Sequence, residues 1–165
     1  MEGASKTAGR LVQVVVTLLA LSLVAGYLTT IYFGAGFAVV EGTSMEPLFH
    51  TGDLVALWKK PPQDIEVGDI VVFRSGSKHV IHRVVYKYVG PNGEYCFVTK
   101  GDNNVLPDLG DPRVCGSRVA PGLGVVTGRP FEDIVGVVVE INDIPVKIPY
   151  VGMFRLVADK LIDII

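Results

Sequence analysis

The chain has 165 residues, of which 49% are apolar and 19% charged, and its formal net charge is −2. That length suits one domain with a real core rather than two. A chain without a basic surplus has little with which to neutralise phosphates, which excludes a nucleic-acid partner, and the high apolar share points to a membrane segment.

The membrane segment comes first in the chain. Residues 11–33 read LVQVVVTLLALSLVAGYLTTIYF, without a charge, and are long enough to cross a hydrocarbon core of about 30 Å. Gln13, Thr17, Ser22, Thr29 and Thr30 can bond back to helix carbonyls, and Tyr27, Tyr32 and Phe33 lie where an interfacial aromatic belt is expected. A cleavable signal peptide would have a shorter apolar region, about 7–15 residues, ending in small residues. The reading is therefore an uncleaved anchor. Lys6 and Arg10 precede it, whereas beyond it the first charge is Glu41 and the first basic residue Lys59. The positive-inside rule makes residues 1–10 a cytoplasmic tail and places all that follows the anchor outside.

Residues 34–148 are expected to form one all-β domain, a sandwich or a partly open barrel. FAVV, DLVALW, DIVVFR, VIHRVVYKYV, YCFVTK and IVGVVVEI are short and rich in Val, Ile and aromatics. Between them stand turn formers: HTGD, KKPPQDIEVGD, RSGSK, GPNGE, GDNNVLPDLGDPR and VAPGLG. GPNGE between two strand patterns predicts a hairpin. Cys96 and Cys115 have no CxxC spacing, which suggests neither a zinc site nor a redox motif. They read as two separate small core residues, with a disulfide as the alternative if the domain lies outside the cell.

Residues 149–165 differ. Phe154, Val157, Ala158, Leu161, Ile164 and Ile165 fall at helical spacing, with Arg155, Asp159 and Asp163 on another side. A short amphipathic helix is expected, with Pro149 in its first turn. It would lie on the membrane surface or pack on the β domain.

The chemistry gathers around EGTSMEPLFHTGD. Most serines are turn or surface residues, the default reading for Ser75, Ser77 and Ser117. Ser44 is set differently: Gly42 allows close backbone approach, and Pro47 keeps its predecessor out of a helix. His82 alternates with Val80 and Val84 on one strand face. It reads equally as a satisfied core histidine or as the general base that a serine hydroxyl needs. His50 and His79 sit in turn-like sequence and are expected to be exposed. A carboxylate that fixes the imidazole would come from Asp102, Asp108 or Asp111, among which spacing does not choose.

Taken in order, GTSMEP with TGDLV, GDIVVF, IHRVV, TKGDNN followed by an aspartate, FEDIVGVV and IPYVG resemble the type I signal peptidases of the archaeal and endoplasmic-reticulum branch, from the anchor nearly to the end. The resemblance implies an all-β, membrane-bound serine endopeptidase that removes signal peptides from exported precursors through an acyl-enzyme. By position in the blocks it implies Ser44 as nucleophile, His82 as general base and then acid, Asp108 as the orienting carboxylate and Asp102 as a supporting residue. Where the bacterial branch uses a lysine base, this chain has His82 beside Arg83, and arginine stays protonated. Lys100 is a surface lysine that could contribute near the site. Many relatives read Ser-Gly before the serine, where this chain has Gly42-Thr43. The Ser44 N–H must then carry more of the oxyanion, with the Thr43 hydroxyl or another backbone donor, in an interaction worth roughly 3 kcal/mol.

The expected partners are signal-bearing precursors and the lipid bilayer, with any accessory subunits unspecified; no metal or cofactor is suggested by any ligand spacing. The short tails favour an archaeal plasma membrane over the endoplasmic reticulum. Three alternatives stand beside this reading. One is an anchored processing peptidase with few clients. Another is a non-catalytic β domain that binds exported peptides. The third, a self-cleaving repressor-type protease, would carry a DNA-binding domain where this chain has its anchor.

Overall fold

The computed structural model describes residues 2–153. The amphipathic helix expected at 149–165 therefore lies outside the described residues from position 154 onward; before it, residues 149–152 form turns. The chain divides into two compact units, the first ending at Ala35 and the second starting at Gly36.

The first unit is one helix, α1 (Glu2–Phe33). Its stretch Gly9–Leu28 has a mean hydropathy of 2.3 and none of it is buried within the chain. A helix apolar all round and covered by nothing suits a lipid surrounding. Three of its hydroxyls bond back to helix carbonyls, as expected: Thr17 donates to the Gln13 carbonyl, Ser22 to Leu19 and Thr30 to Tyr27.

The second unit is mainly β, as the alternating Val and Ile pattern predicts. Its elements are β1 (Gly36–Val39), β2 (Leu54–Trp58), β3 (Ile70–Ser75), β4 (Lys78–Val89), β5 (Tyr95–Lys100), α2 (Pro112–Cys115), β6 (Ser117–Ala120), β7 (Gly124–Thr127), β8 (Arg129–Pro130), β9 (Ile134–Val138), β10 (Glu140–Ile141), β11 (Ile144–Pro145) and β12 (Lys147–Ile148). The main sheet runs β1-β2-β9-β3-β4-β5-β8, with β12 also on β2. Strands β10 and β11 form one small hairpin and β6 and β7 another. The GPNGE turn joins β4 to β5, whose pairing starts at Val89 opposite Tyr95.

Period-two alternation explains how the sheet is covered on both faces. On β3, Ile70 and Val72 join a core with Met45, Phe49, Val55 and Val138. Their neighbours Val71 and Phe73 join another with Ile65, Val84, Phe97 and Val137. A one-residue slip of β3 would exchange the two sets, so its register is fixed by packing. The hairpin of β6 and β7 closes a third, smaller core over Val98 through Ala120 and Val126.

Two expectations need correction. Cys96 and Cys115 are not separate core thiols but a disulfide with Cα atoms 5.8 Å apart. The β5–β8 pairing sets Cys96 opposite Pro130, and α2 ends at Cys115, so two buried positions far apart in sequence meet. The run IVGVVVEI is also not one strand. It breaks after Val138, because Val139 donates to the Ala56 carbonyl and accepts from the Val146 amide before β10 starts.

Candidate active site

Ser44 lies in the turn between β1 and β2, and its peptide unit is held from both sides. Met45 and Phe49 are fully buried in the first core, which roots the turn. The Asn103 amide donates to the Ser44 carbonyl at 2.8 Å, and the Asn103 side chain donates to the Thr43 carbonyl at 3.1 Å. Gly101 permits this approach: a Cβ there would lie 2.6 Å from the Ser44 carbonyl oxygen, which backbone cannot yield to.

His82 occupies β4 opposite Val71 and is 5% exposed. Its Nε2 is 3.0 Å from Ser44 Oγ, and its Nδ1 is 2.6 Å from Asp108 Oδ2. The Phe73 ring packs against the imidazole with an edge-type geometry. Hydroxyl, imidazole and carboxylate thus form one hydrogen-bonded line.

Asp108 belongs to the loop between β5 and α2, which is stitched back onto the sheet. The Asp108 amide donates to the Thr99 carbonyl and the Gly110 amide to the Thr127 carbonyl. Thr99, fully buried on β5, also donates its hydroxyl to Asp108 Oδ2 at 2.7 Å. Burial works against the Asp108 charge. Hydrogen bonds from His82 and Thr99, with the nearby His82 and Arg129 charges, outweigh it and hold the carboxyl below the usual aspartate range.

The other sequence candidates separate cleanly. Asp102 does not touch His82; Arg83 grips it through two hydrogen bonds, Nε to Oδ1 at 2.9 Å and Nη2 to Oδ2 at 2.8 Å. Asp111 caps α2 and pairs with Arg113. His50 and His79 are exposed. Lys100 Nζ donates to the Gly101 and Asn104 carbonyls, so it braces the loop. Among the described residues the Ser44 N–H donates to no acceptor, and neither does the Thr43 hydroxyl.

Sequence reasoning missed Thr99. Its signal was faint: a hydroxyl in an otherwise apolar strand, YCFVTK, needs a partner once buried. Arg129 was also missed. It is buried with its guanidinium 3.6 Å from the Phe73 ring centre and lies close enough for its charge to act on Asp108.

Beside Ser44 runs a groove of about 560 Å³, walled by residues 38–42 and 78–81 and floored by Val72. One wall belongs to β1, which among the described residues pairs with β2 alone and stands at the end of the sheet. Among the described residues no three His, Cys, Asp or Glu side chains converge to hold a metal.

A serine oxygen within reach of an imidazole whose far nitrogen meets a carboxylate is the arrangement of a serine hydrolase. Here it is carried on a β unit that follows an apolar helix. Residues 10–89 match the family described as "Signal peptidase, peptidase S26". The proteins named "Signal peptidase complex catalytic subunit SEC11C" in Homo sapiens and Mus musculus are each 43% identical over 74 residues, 44% of this chain and 38% of theirs. "Signal peptidase complex catalytic subunit SEC11" of Leptosphaeria maculans is 38% identical over 124 residues, 74% of this chain and 62% of its own. The chain thus spans between 38% and 62% of the length of these curated relatives. Its similarity is thus to the signal peptidase S26 family, and within the named relatives to SEC11-type catalytic subunits.

Proposed function

We propose that this chain is a membrane-anchored serine endopeptidase that removes N-terminal signal peptides from precursor proteins. The observation that carries the reading is the line Ser44–His82–Asp108 beside an open groove. His82 Nε2 takes the Ser44 proton as Oγ attacks the scissile carbonyl, and Asp108 holds the imidazole so that Nε2 faces the serine. His82 then gives the proton to the leaving amine. Water, deprotonated by the same imidazole, releases the acyl-enzyme. The Ser44 N–H, which meets no acceptor among the described residues, is the donor at hand for the oxyanion. Asp102 supports the site through Arg83 without reaching the reacting atoms.

The free side of β1 favours a substrate bound extended, as an added strand in the groove. Shallow apolar walls suit small side chains at the first and third positions before the cut. In this reading α1 crosses the bilayer once, residues 1–10 stay in the cytoplasm and residues 34–148 work outside. The disulfide supports that side, because disulfides persist in oxidising compartments. The relatives from Homo sapiens and Leptosphaeria maculans are named as subunits of a complex, which makes accessory membrane subunits part of the proposal. The preference for an archaeal plasma membrane draws no support from such relatives.

The test is cleavage of a signal-bearing precursor by the purified chain in lipid vesicles. Cleavage at the end of the signal by the wild type, and none by a folded Ser44→Ala variant, is expected. Equal cleavage by both would overturn the reading and leave the non-catalytic, peptide-binding alternative.

A further inference from the structure

Asp53 is the most deeply buried carboxylate among the described residues, 1% exposed, and the hydrolytic line does not use it. Its Oδ2 accepts from the His50 amide at 3.1 Å and from Lys147 Nζ at 2.9 Å, and its Oδ1 from the Tyr150 amide at 3.3 Å. Burial opposes its charge; the Lys147 hydrogen bond, the two amides and the Lys147 charge more than offset that and keep its carboxyl below the usual range. Lys147 reaches further. Its Nζ donates to the Leu48 carbonyl at 2.7 Å and stands over the Phe49 ring, 5.6 Å from its centre.

These contacts converge on the end of the serine turn. Within it the Glu46 amide donates to the Thr43 carbonyl and the Phe49 amide to the Met45 carbonyl, so Ser44 opens a compact coil of chain that closes at Leu48 and Phe49. Asn103 pins the first end of this coil. Lys147 pins the other, from a strand nearly one hundred residues away. Behind Lys147 the segment 147–153 stays on the same region: the Gly152 amide donates to the Gly52 carbonyl, and a Cβ on Gly152 would run into the Val39 side chain. Ser44 Oγ is 3.0 Å from its imidazole, and a displacement of the coil by a fraction of that distance would break the line.

We propose that Lys147 is a positioning residue for the Ser44 nucleophile, acting through the Leu48 carbonyl and the buried Asp53 carboxylate. This rests on the reading of Ser44 as nucleophile. It goes beyond that reading in making the serine turn and the strand β12 one mechanical unit.

The experiment compares wild type, K147M, K147R and the double variant D53N/K147M, all as full chains in detergent or lipid. A soluble peptide carrying the cleavage site is the substrate, and thermal unfolding is measured alongside. K147M removes the ammonium but keeps an apolar stem over Phe49. Its kcat should fall roughly 10- to 100-fold with KM within about two-fold, because a nucleophile set off its line loses the reaction and leaves the groove intact. K147R should recover most of that loss. The double variant leaves no unpaired buried charge, so its unfolding midpoint should return toward wild type while its kcat stays low. If kcat per folded molecule equals wild type in K147M or in the double variant, or if kcat and midpoint fall and recover together, Lys147 serves stability alone and the inference fails. With a wild type that cuts and a dead Ser44→Ala, that failure leaves the peptidase reading standing. A wild type that does not cut removes both.

Discussion

Two loops meet at the line Ser44–His82–Asp108, and they are held by different forces. The serine turn is anchored by burial: Met45 and Phe49 are enclosed in the first core, and Asp53 is enclosed beneath Lys147. The aspartate loop is anchored by hydrogen bonds. Val105 is 92% exposed, Leu106 74% and Leu109 89%, yet the Asp108 amide, the Asp108 carboxylate and the Gly110 amide are all tied to β5 or to the last residue of β7. The apolar residues of the loop give it almost nothing in burial; its few polar contacts decide where Asp108 stands. Ser44 should therefore respond to changes in core volume as well as to loss of the Lys147 clamp, and Asp108 to the loss of single hydrogen bonds alone.

The largest effect expected from this contrast comes from the shared contact. Asp108→Ala should lower kcat by roughly 10^4-fold while the fold persists, since the imidazole loses the group that orients it. Cleavage of a soluble peptide, with circular dichroism as the control, checks this; a loss below ten-fold would move the orienting role elsewhere. Phe49→Ala should strike the serine turn through packing, costing about 3–5 kcal/mol of stability. Denaturant unfolding reads that figure, and a cost near zero would show that burial does not anchor the turn. Thr99→Val should do the reverse. It preserves shape, removes the hydroxyl bond to Asp108, and should reduce kcat about ten-fold with a stability change of about 1 kcal/mol. Leu106→Ser should be the smallest, within about 0.5 kcal/mol.

Two carboxylates, the buried Asp53 behind the serine turn and the half-buried Asp108 in the other loop, make the contrast pH-dependent. Asp53 and Asp108 both have folded-state values below the ordinary 3.8. Their unfolded forms take up protons first as pH falls, so their contribution is complete above 3.8 and is lost as pH drops through the lower folded values. Unfolding midpoints measured from pH 6 downward should decline in that acid range, and Asp53→Asn should flatten the decline. An unchanged slope in that variant would contradict the buried clamp.

Much of this was legible in the sequence because it was local. Alternating Val and Ile gave β2 to β5, a charge-free run gave α1, and GPNGE gave the hairpin. Ser44 and His82 stood out because a motif order surrounds each of them. What escaped was non-local or weakly patterned. SRVA and GVVT are four-residue strands whose outward positions include Val119 and Val125, so no alternation of apolar and polar residues marked them. The disulfide needed the β5–β8 pairing; spacing alone did not choose among the aspartates, and it was the order of the motif blocks that pointed to Asp108 rather than Asp102. The bond between Asp53 and Lys147 spans most of the domain and leaves no trace in either neighbourhood.

The most direct test is to ask which atom reacts. The full chain in lipid vesicles is treated with a small serine-directed phosphonate, and the adduct is located by peptide mass mapping. If the line is catalytic, the label falls on Ser44, is slowed by a signal-bearing precursor, and is lost in His82→Ala though that variant is folded. A label elsewhere, or labelling of Ser44 at the same rate without His82, would contradict it.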